Sequence, residues 1–330
     1  MRQVIKNVKI VGTGSYLPPT IVTNKDIENR IDTSDDWIFQ NLGIRERRIV
    51  TTELTSDLAA KAALKALAAA NLAADDIDLI IVATATPDRL APSTACIVQD
   101  KIKAVNAVAF DLSAVCSGFL FAFSTAAQFV SNGIYKHVLI IGADTFSKII
   151  DWDRRDCVFF GDGAGAVIIS SNDSESGWLN LKLFSDGSGK WNFTIPGGAS
   201  ENPISEHSLK ENLRYFQMNG KAVYETATSV LPKAILEVLA DANKSITDVS
   251  LLIPHQPSIK ILKETARIID MPFDKVMINM EKYANTSGGT IPIVLDETVR
   301  AGKIQEGDLI LFAAVGSGWT WGACLFKWIN

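Results

Sequence analysis

Residues 62–81 of the chain, AALKALAAANLAADDIDLII, recur as residues 234–253, AILEVLADANKSITDVSLLI, at an offset of 172 positions (234 − 62). The two stretches align without a gap, and each carries an asparagine at the same place, Asn71 and Asn243. Each begins with apolar residues at helical spacing and ends in a short apolar run, which is typical of a helix followed by a buried strand. The repeat therefore predicts a duplicated α/β unit.

A second repeat pairs two residues that could carry chemistry. The tetrapeptide VSNG at 130–133 corresponds to VRAG at 299–302, at an offset of 169 (299 − 130), and the same offset places Cys116 on Asn285. Two unrelated domains would also fit a chain of 330 residues, and chance similarity would explain the first repeat alone. Neither explains this pairing. We therefore expect two related halves, residues 1–175 and 176–330, with a site at their junction.

Cys116 stands where an extended apolar segment changes into a run that is apolar on every side, residues 119–127. Such a run predicts a buried helix. A cysteine in its first turn would face unpaired backbone N–H groups and the positive end of the helix dipole, both of which favour the nucleophilic thiolate. Free cysteines are also among the most buried residues, so packing alone would explain this one.

A histidine and an asparagine favour the catalytic interpretation of Cys116. Among the histidines, His137 and His207 lie in polar segments, whereas His255 follows an apolar strand segment. Asn285 stands in a turn of small residues ahead of another apolar helix. Cysteine, histidine and an amide form a recurring catalytic set. Papain-like proteases use these three residue types in the same chain order, but their cysteine lies near the mature N-terminus in a different local sequence.

Further motifs, spread over nearly the whole chain, resemble the β-ketoacyl-acyl-carrier-protein synthase III family of thiolase-superfamily condensing enzymes. They are VGTGSYLP at 11–18, DTSDDWI at 32–38, GIRERR at 43–48, FGDGAGA at 160–166 and GSGWTWG at 316–322. The resemblance implies a thiolase-like five-layered α-β-α-β-α fold, with two mixed sheets around a pair of buried central helices. The duplication supports this architecture independently.

The resemblance also implies a two-step reaction. Cys116 attacks the acyl thioester of coenzyme A, and the backbone N–H groups of Cys116 and Ser317 stabilise the oxyanion. Malonyl on acyl carrier protein then loses CO₂, and His255 and Asn285 donate hydrogen bonds to the enolate instead of assisting the attack of the thiol. The carbanion takes the acyl group from Cys116, which gives 3-ketoacyl-acyl carrier protein. No cofactor and no metal is expected.

Other residues are expected to bind the substrates. Trp37 and Arg154 match family positions that sandwich the adenine of coenzyme A by stacking and cation–π contact. Lys260, Lys263 and Arg267 are spaced to share one helix face. An exposed face is the usual meaning of such a run, but a basic stripe on an acidic chain also suits docking of the acidic acyl carrier protein.

At some positions the sequence differs from the family pattern, and these differences bear on which substrates the protein accepts. Asn41 stands where an arginine near the coenzyme A phosphates is frequent, and Pro257-Ser258 replaces a common Ala-Asn. Ala91 replaces a bulky aromatic residue of acetyl-selective members, at a position that the partner subunit of a homodimer contributes to the acyl pocket. Alanine would leave room there for a primer longer than acetyl.

The expected role is therefore the initiation of fatty acid synthesis. The alternative is a specialised ketosynthase or acyltransferase of secondary metabolism that uses a longer acyl primer. A homologue that only transfers acyl groups, or a catalytically silent subunit, would be expected to lose His255 or Asn285, and both are present.

The amino-acid composition further limits the class of protein and its partners. Hydrophobic content of 47% and charged content of 21% suit a globular protein with a large core, and a net charge of −5 argues against a nucleic-acid partner. No apolar run reaches the length of a membrane span, and the N-terminus does not resemble a signal peptide. The cysteines show no spacing typical of a metal site or a disulfide framework. We expect a cytoplasmic protein without membrane contact, and the family resemblance implies that it forms a homodimer.

Overall fold

The computed structural model describes residues 8–172 and 177–329, and the predicted boundary between the halves, 175/176, lies outside the described residues. The described strands are β1 (Val8–Tyr16), β2 (Thr20–Thr23), β3 (Glu46–Ile49), β4 (Leu79–Ala83), β5 (Val108–Leu112), β6 (His137–Asp144), β7 (Gly163–Ser171), β8 (Trp178–Ser185), β9 (Phe193–Thr194), β10 (Gln217–Met218), β11 (Leu251–Pro254), β12 (Leu309–Gly316) and β13 (Thr320–Lys327). The described helices are α1 (Asn24–Glu28), α2 (Asp35–Leu42), α3 (Thr55–Ala70), α4 (Thr94–Ile102), α5 (Gly118–Ser131), α6 (Glu206–Lys210), α7 (Gly220–Asp241), α8 (Ile259–Ile268), α9 (Met280–Tyr283) and α10 (Thr290–Arg300). None of these helices combines the length and the apolar character needed to cross a bilayer.

Two mixed sheets organise the described chain. The first has the strand order β1-β7-β6-β4-β5, in which β4 runs parallel to β5 and β6 while β7 runs antiparallel to β1 and β6. The second has the order β11-β12-β13-β8, with β11 parallel to β12 and β13 antiparallel to both its neighbours. It repeats the first sheet without the edge strand β5. In the place of that strand, Leu252 forms an isolated parallel bridge with Val276.

Helices form three layers around these sheets. Helices α5 and α10 lie between the sheets, where Phe119, Phe123 and Ile291 pack in one core with Ile81 of the first sheet and Phe312 of the second. A helix covered on both sides must be apolar all round, which explains the composition of α5. Helices α3 and α4 pack on the outer face of the first sheet, and α7 and α8 on that of the second. This order confirms the predicted five-layered fold.

The ends of equivalent helices show the duplication in the backbone. Asn71 after α3 and Asn243 after α7 have φ angles of 52° and 53°. Gly133 after α5 and Gly302 after α10 have φ angles of 69° and 66°. Glycine and asparagine are the residues that adopt this left-handed conformation most readily at helix ends. The two sequence repeats therefore correspond to repeated structure.

Candidate active site

Cys116, His255 and Asn285 line one cavity of about 270 Å³. Cys116 precedes the central helix α5, His255 follows β11, and Asn285 precedes the central helix α10. The rest of the lining is largely apolar and includes Leu42, Phe159, Phe160, Phe193, Met218, Val223, Ile261, Val315 and Trp319. The structure thus brings together the three residues that the sequence analysis selected, and their chemical roles stay predictions.

Cys116 lies in a tight turn, Val115–Ser117, that leads directly into α5. Val115 has a φ of 46°, a conformation that β-branched residues rarely adopt. The end of β12 presses against this turn, because a Cβ added to Gly316 would lie 2.8 Å from the backbone nitrogen of Ser117 and 3.1 Å from that of Cys116. Glycine at this position lets the backbone before Ser317 approach the backbone N–H of Cys116.

Cys116 is 4% exposed, and its Sγ lies 3.7 Å from the Oγ of Ser287. Burial raises the pKa of this thiol to about 12, and the negative charge of Asp144 adds to the rise, while hydrogen bonds from Ser287 and Asn285 oppose it. The helix terminus beside Cys116 predicts a stabilised thiolate. In this structure the cost of desolvating a charge outweighs that effect, so the resting thiol is protonated at neutral pH.

His255 is held by two hydrogen bonds. Its backbone N–H donates to the carbonyl of Ala313 at 2.8 Å, and its Nδ1 lies 2.8 Å from Oγ1 of Thr290. The side chain is buried, and burial lowers the pKa of the imidazole to about 3. The ring is therefore neutral at physiological pH, and Nε2 is the nitrogen left for the cavity.

Asn285 has a defined amide orientation. Its Oδ1 accepts a hydrogen bond of 2.7 Å from the backbone N–H of Ser287, which leaves the NH₂ group to donate to the Cys116 sulfur or to a ligand. The backbone is fixed as well, because Asn285 N–H donates to the carbonyl of Phe159 and the Asn285 carbonyl accepts from Gly161 N–H, both at 3.0 Å. The amide can act as a hydrogen-bond donor to a group in the cavity.

The structure places the two predicted adenine-binding residues, Trp37 and Arg154, in different surroundings. Trp37 lines the cavity, but the guanidinium over its ring, 4.1 Å from the ring centroid, belongs to Arg155. Arg154 instead forms an ion pair of 2.7 Å with Asp156. Of these two adjacent arginines, Arg155 lies over the indole in the free chain, and adenine binding by Trp37 and Arg154 stays a prediction.

The predicted docking residues lie on the exposed side of α8. Lys260, Lys263 and Arg267 are all exposed. Lys260 also lines the cavity and donates a hydrogen bond of 2.6 Å to Oδ1 of Asn41. Arg267 forms an exposed ion pair of 2.7 Å with Glu264, and such pairs contribute little stability. The basic stripe is thus present next to the cavity, and its partner remains a prediction.

The specificity residues fall into two groups. Pro257 and Ser258 line the cavity, and Ser258 also begins α8 as its cap, since its Oγ accepts from the backbone N–H of Ile261. Ala91 is exposed and does not line the cavity of the described single chain. Its place in the pocket of a partner subunit stays a prediction.

Ser287 and Thr290 also contact the site, and the sequence alone does not indicate a role for either. Both lie in the stretch of small residues after Asn285, so their position in a turn was predictable. Their contacts with Cys116 and His255 join residues 171 and 35 positions apart along the chain. Local sequence patterns carry no signal for such pairings.

Two family profiles match the chain. One, described as 3-oxoacyl-[acyl-carrier-protein (ACP)] synthase III C terminal, covers residues 239–328, and the other, 3-oxoacyl-[acyl-carrier-protein (ACP)] synthase III, covers residues 110–187. A relative from Caldanaerobacter subterraneus subsp. tengcongensis, named β-ketoacyl-[acyl-carrier-protein] synthase III, is 47% identical, and the alignment covers 97% of each chain.

Solved structures agree with these matches. The 3-oxoacyl-[acyl-carrier-protein] synthase III of Aquifex aeolicus VF5 superposes with a TM-score of 0.91 at 42% identity, covering 97% of this chain and 100% of that one. The priming β-ketosynthase of the R1128 polyketide biosynthetic pathway has a TM-score of 0.91 at 29% identity, with 98% and 97% covered. On this combined support, the chain belongs to the β-ketoacyl-acyl-carrier-protein synthase III family.

Proposed function

We propose that this protein condenses an acyl-coenzyme A with malonyl-acyl carrier protein, with loss of CO₂, and so initiates fatty acid synthesis. The observation that carries the proposal is the meeting of Cys116, His255 and Asn285 at one largely apolar cavity. A thiol can hold an acyl group, and two neutral hydrogen-bond donors can stabilise an enolate. Membership of the family supports the same reaction.

In the first half-reaction, the sulfur of Cys116 attacks the carbonyl carbon of the acyl thioester. The tetrahedral intermediate carries a negative oxygen, and the backbone N–H groups of Cys116 and Ser317 are the proposed donors to it. The close approach of Gly316 to the Cys116 turn supports this pair. Collapse of the intermediate releases coenzyme A and leaves the acyl group on Cys116.

In the second half-reaction, malonyl on acyl carrier protein loses CO₂ and leaves an enolate. The NH₂ group of Asn285 and an N–H of neutral His255 are the proposed donors to the enolate oxygen. Removing one such donor typically costs about 10²–10³ in rate. The apolar lining keeps water from the carbanion, which then attacks the acyl group on Cys116.

Residues at and beside the cavity are proposed to bind the two carriers, coenzyme A and acyl carrier protein. The indole of Trp37 offers a stacking surface for an adenine ring. Lys260 contacts Asn41 and so supplies a cation near the position where many family members carry an arginine. The exposed Lys263 and Arg267 continue this charge along α8 and suit an acidic acyl carrier protein. The proposal also includes a homodimer in which Ala91 of each subunit lies at the acyl pocket of the other.

The test is product formation by the purified protein. Acetyl-coenzyme A and malonyl-acyl carrier protein should give 3-ketoacyl-acyl carrier protein, identified by intact-protein mass spectrometry, and Cys116→Ala should give none. Cys157→Ala, which removes another buried cysteine, is the matched control and should retain the reaction. Transfer of the acyl group without release of CO₂ would contradict the proposal and identify a simple acyltransferase.

Ala91 favours a second candidate function. If the homodimer forms, alanine at this position leaves space at the end of the acyl pocket, and the preferred primer would then be longer than acetyl. A specialised ketosynthase of secondary metabolism fits that preference. A panel of acyl-coenzyme A primers in the same assay separates the two functions.

A further inference from the structure

The side chain of Ser317 joins two distant segments of the cavity lining. Its Oγ donates a hydrogen bond of 2.5 Å to the backbone carbonyl of Phe193. The two residues are 124 positions apart in the chain, and both line the cavity. Ser317 follows Gly316, whose backbone lies against the turn that carries Cys116. The hydroxyl therefore connects the backbone beside the proposed nucleophile to the strand that carries Phe193, β9.

Strand β9 belongs to a short ribbon at the cavity. It pairs with β10 alone, and Phe193 lies opposite Met218 in this pairing. Both of these side chains line the cavity, as does Gly220 at the start of α7. A ribbon of two residue pairs is too short to be stable by itself. Its position therefore depends on bonds to the rest of the molecule, and the bond from Ser317 is one of them.

The ring of Phe193 is part of an aromatic cluster next to Cys116. Its centroid lies 4.5 Å from that of Phe216 and 6.2 Å from that of Phe160, and Phe160 stacks on Phe146 at 4.5 Å. Phe146, Phe160 and Phe216 are at most 1% exposed, and Cys116 belongs to the same buried core. Packed aromatic rings hold each other in defined orientations. The Phe193 ring thus bounds the cavity on the side of this cluster.

The segment that leads into β9 is attached to the same loop as Ser317. The backbones of Asp186 and Trp319 exchange two hydrogen bonds, of 2.8 and 2.5 Å. A Cβ added to Gly189 would lie 2.1 Å from the indole of Trp319, so this close approach requires glycine. The carbonyl of Ser317 accepts a hydrogen bond of 2.9 Å from Oγ1 of Thr320, which fixes the loop itself. The hydroxyl of Ser317 adds the attachment at the cavity-lining strand.

We propose that Ser317 is a positioning residue for substrate specificity, whose hydroxyl fixes β9 so that the ring of Phe193 limits the width of the acyl group that Cys116 can hold. This inference rests on the proposed condensation and deepens it. Alanine at position 317 would keep the backbone N–H proposed as oxyanion donor and lose only the bond to β9. Width separates branched from linear primers of equal carbon number, whereas Ala91 concerns length. A hydrophobic pocket discriminates a single misplaced methyl group about tenfold or more.

A pair of isomeric primers tests the width of the cavity. Isobutyryl- and butyryl-coenzyme A have the same number of carbon atoms and differ in branching next to the thioester carbon. Ser317→Ala should raise the ratio of kcat/KM for isobutyryl to that for butyryl about tenfold over the wild-type ratio, because β9 can then give way. Ser250→Ala, which removes a hydroxyl bonded to Asp308, is the matched control and should leave the ratio unchanged. An unchanged or lower ratio in Ser317→Ala overturns the proposal, whatever the individual rates.

A double-mutant cycle tests whether Ser317 acts through Phe193. Phe193→Leu should raise the same ratio by removing the ring. In that background, Ser317→Ala should add little, because the ring that the hydroxyl positions is gone. Residues that act through one contact show such non-additive effects. Full additivity of the two substitutions would mean that Ser317 acts elsewhere and overturns the proposal.

Hydrogen–deuterium exchange tests the attachment of β9 without turnover. Ser317→Ala should increase exchange in residues 186–194, because local protection follows the bonds that hold a segment. Ser250→Ala should exchange there like the wild-type protein. Equal protection in Ser317→Ala means that the hydroxyl does not hold β9 and overturns the proposal. If the wild-type protein formed no acyl-enzyme with any primer, the proposed function would fail, and the exchange result is independent of it.

Discussion

Val115 and Ala284 each have a positive φ, 46° and 56°, and each immediately precedes a residue of the site, Cys116 and Asn285. The two positions are 169 apart (284 − 115), the offset of the second sequence repeat. A non-glycine residue in this region costs on the order of 1–3 kcal/mol. Both halves therefore keep a positive φ at the residue before the site, and the following side chain lies at the shared cavity in both.

The first prediction concerns this strain. Ala284→Gly should raise the free energy of unfolding by about 1 kcal/mol, because glycine adopts the local conformation without steric cost. The lost methyl group is small, so little packing is sacrificed. Ala266→Gly, at a buried position inside α8, is the control and should lower the stability by about 1 kcal/mol. Urea denaturation of the three proteins measures both effects, and a destabilised Ala284→Gly variant would show that the backbone is relaxed.

The second prediction concerns the nucleophile. Incubation with acyl-coenzyme A followed by peptide mass mapping should place the acyl group on Cys116. Cys96 is exposed and more accessible, yet it has neither the oxyanion donors nor the cavity around it. Cys96→Ser should therefore leave the acylated fraction unchanged. Acyl groups on Cys96, Cys157 or Cys324 in place of Cys116 would refute the mechanism.

The third prediction separates the two half-reactions at Asn285. Asn285→Ala should still form the acyl-enzyme, but CO₂ release from malonyl-acyl carrier protein should fall about 10²–10³-fold through loss of one enolate donor. Asn132→Ala, which removes an exposed amide after α5, serves as the control with unchanged rates. If Asn285→Ala lost acylation and kept decarboxylation, the assigned roles would be reversed.

The pairing of Cys116 with Asn285 could be predicted from the sequence because helix stops, apolar spacing and repeat offsets are local features. Asn71, Gly133 and their counterparts mark helix ends by residue type alone. The layered fold follows from the same patterns together with the family resemblance.

Contacts between distant segments could not be predicted in the same way. Residue type does not distinguish Arg154 from the adjacent Arg155, whose guanidinium lies over Trp37. The contact of Thr290 with His255 depends on how α10 meets the end of β11. The high pKa of the Cys116 thiol arises from desolvation by the whole surrounding core, which outweighs the local helix terminus that the sequence did reveal.

The fourth prediction concerns the pH dependence of stability. The pKa of His255 lies near 6.5 in the unfolded chain and is lowered to about 3 in the folded protein. Between these values the unfolded state binds the extra proton, so His255 should lower the stability as the pH falls, by up to about 1.4 kcal/mol per pH unit.

His255→Gln removes this titration and retains a polar side chain. Urea denaturation of both proteins at pH 6.5 and pH 4.5 isolates the effect, because other titrating groups are common to both. The wild-type protein should lose more stability than the variant over this interval. Parallel pH profiles would mean that the buried ring is already protonated or that it remains hydrated.

The last prediction concerns the length of the primer. One buried methylene contributes about 0.8 kcal/mol, so several methylenes of new contact could change kcat/KM by more than tenfold. If a partner subunit places Ala91 at the end of the acyl pocket, the wild-type protein should accept hexanoyl- or decanoyl-coenzyme A. Ala91→Phe should then reduce kcat/KM for these primers steeply and spare acetyl-coenzyme A.

Ala91→Ser is the matched control, because it changes the polarity of the position with little change in volume and should leave the order of primers unchanged. Sedimentation of each variant shows whether the substitution has altered formation of the dimer, which distinguishes that effect from a change in the pocket. Ala91 is exposed and does not line the cavity of its own chain, so the proposed effect acts through a second chain, and kinetics and association must agree. Strong acetyl preference in the wild-type dimer, unchanged by Ala91→Phe, would mean that neighbouring side chains already fill the space.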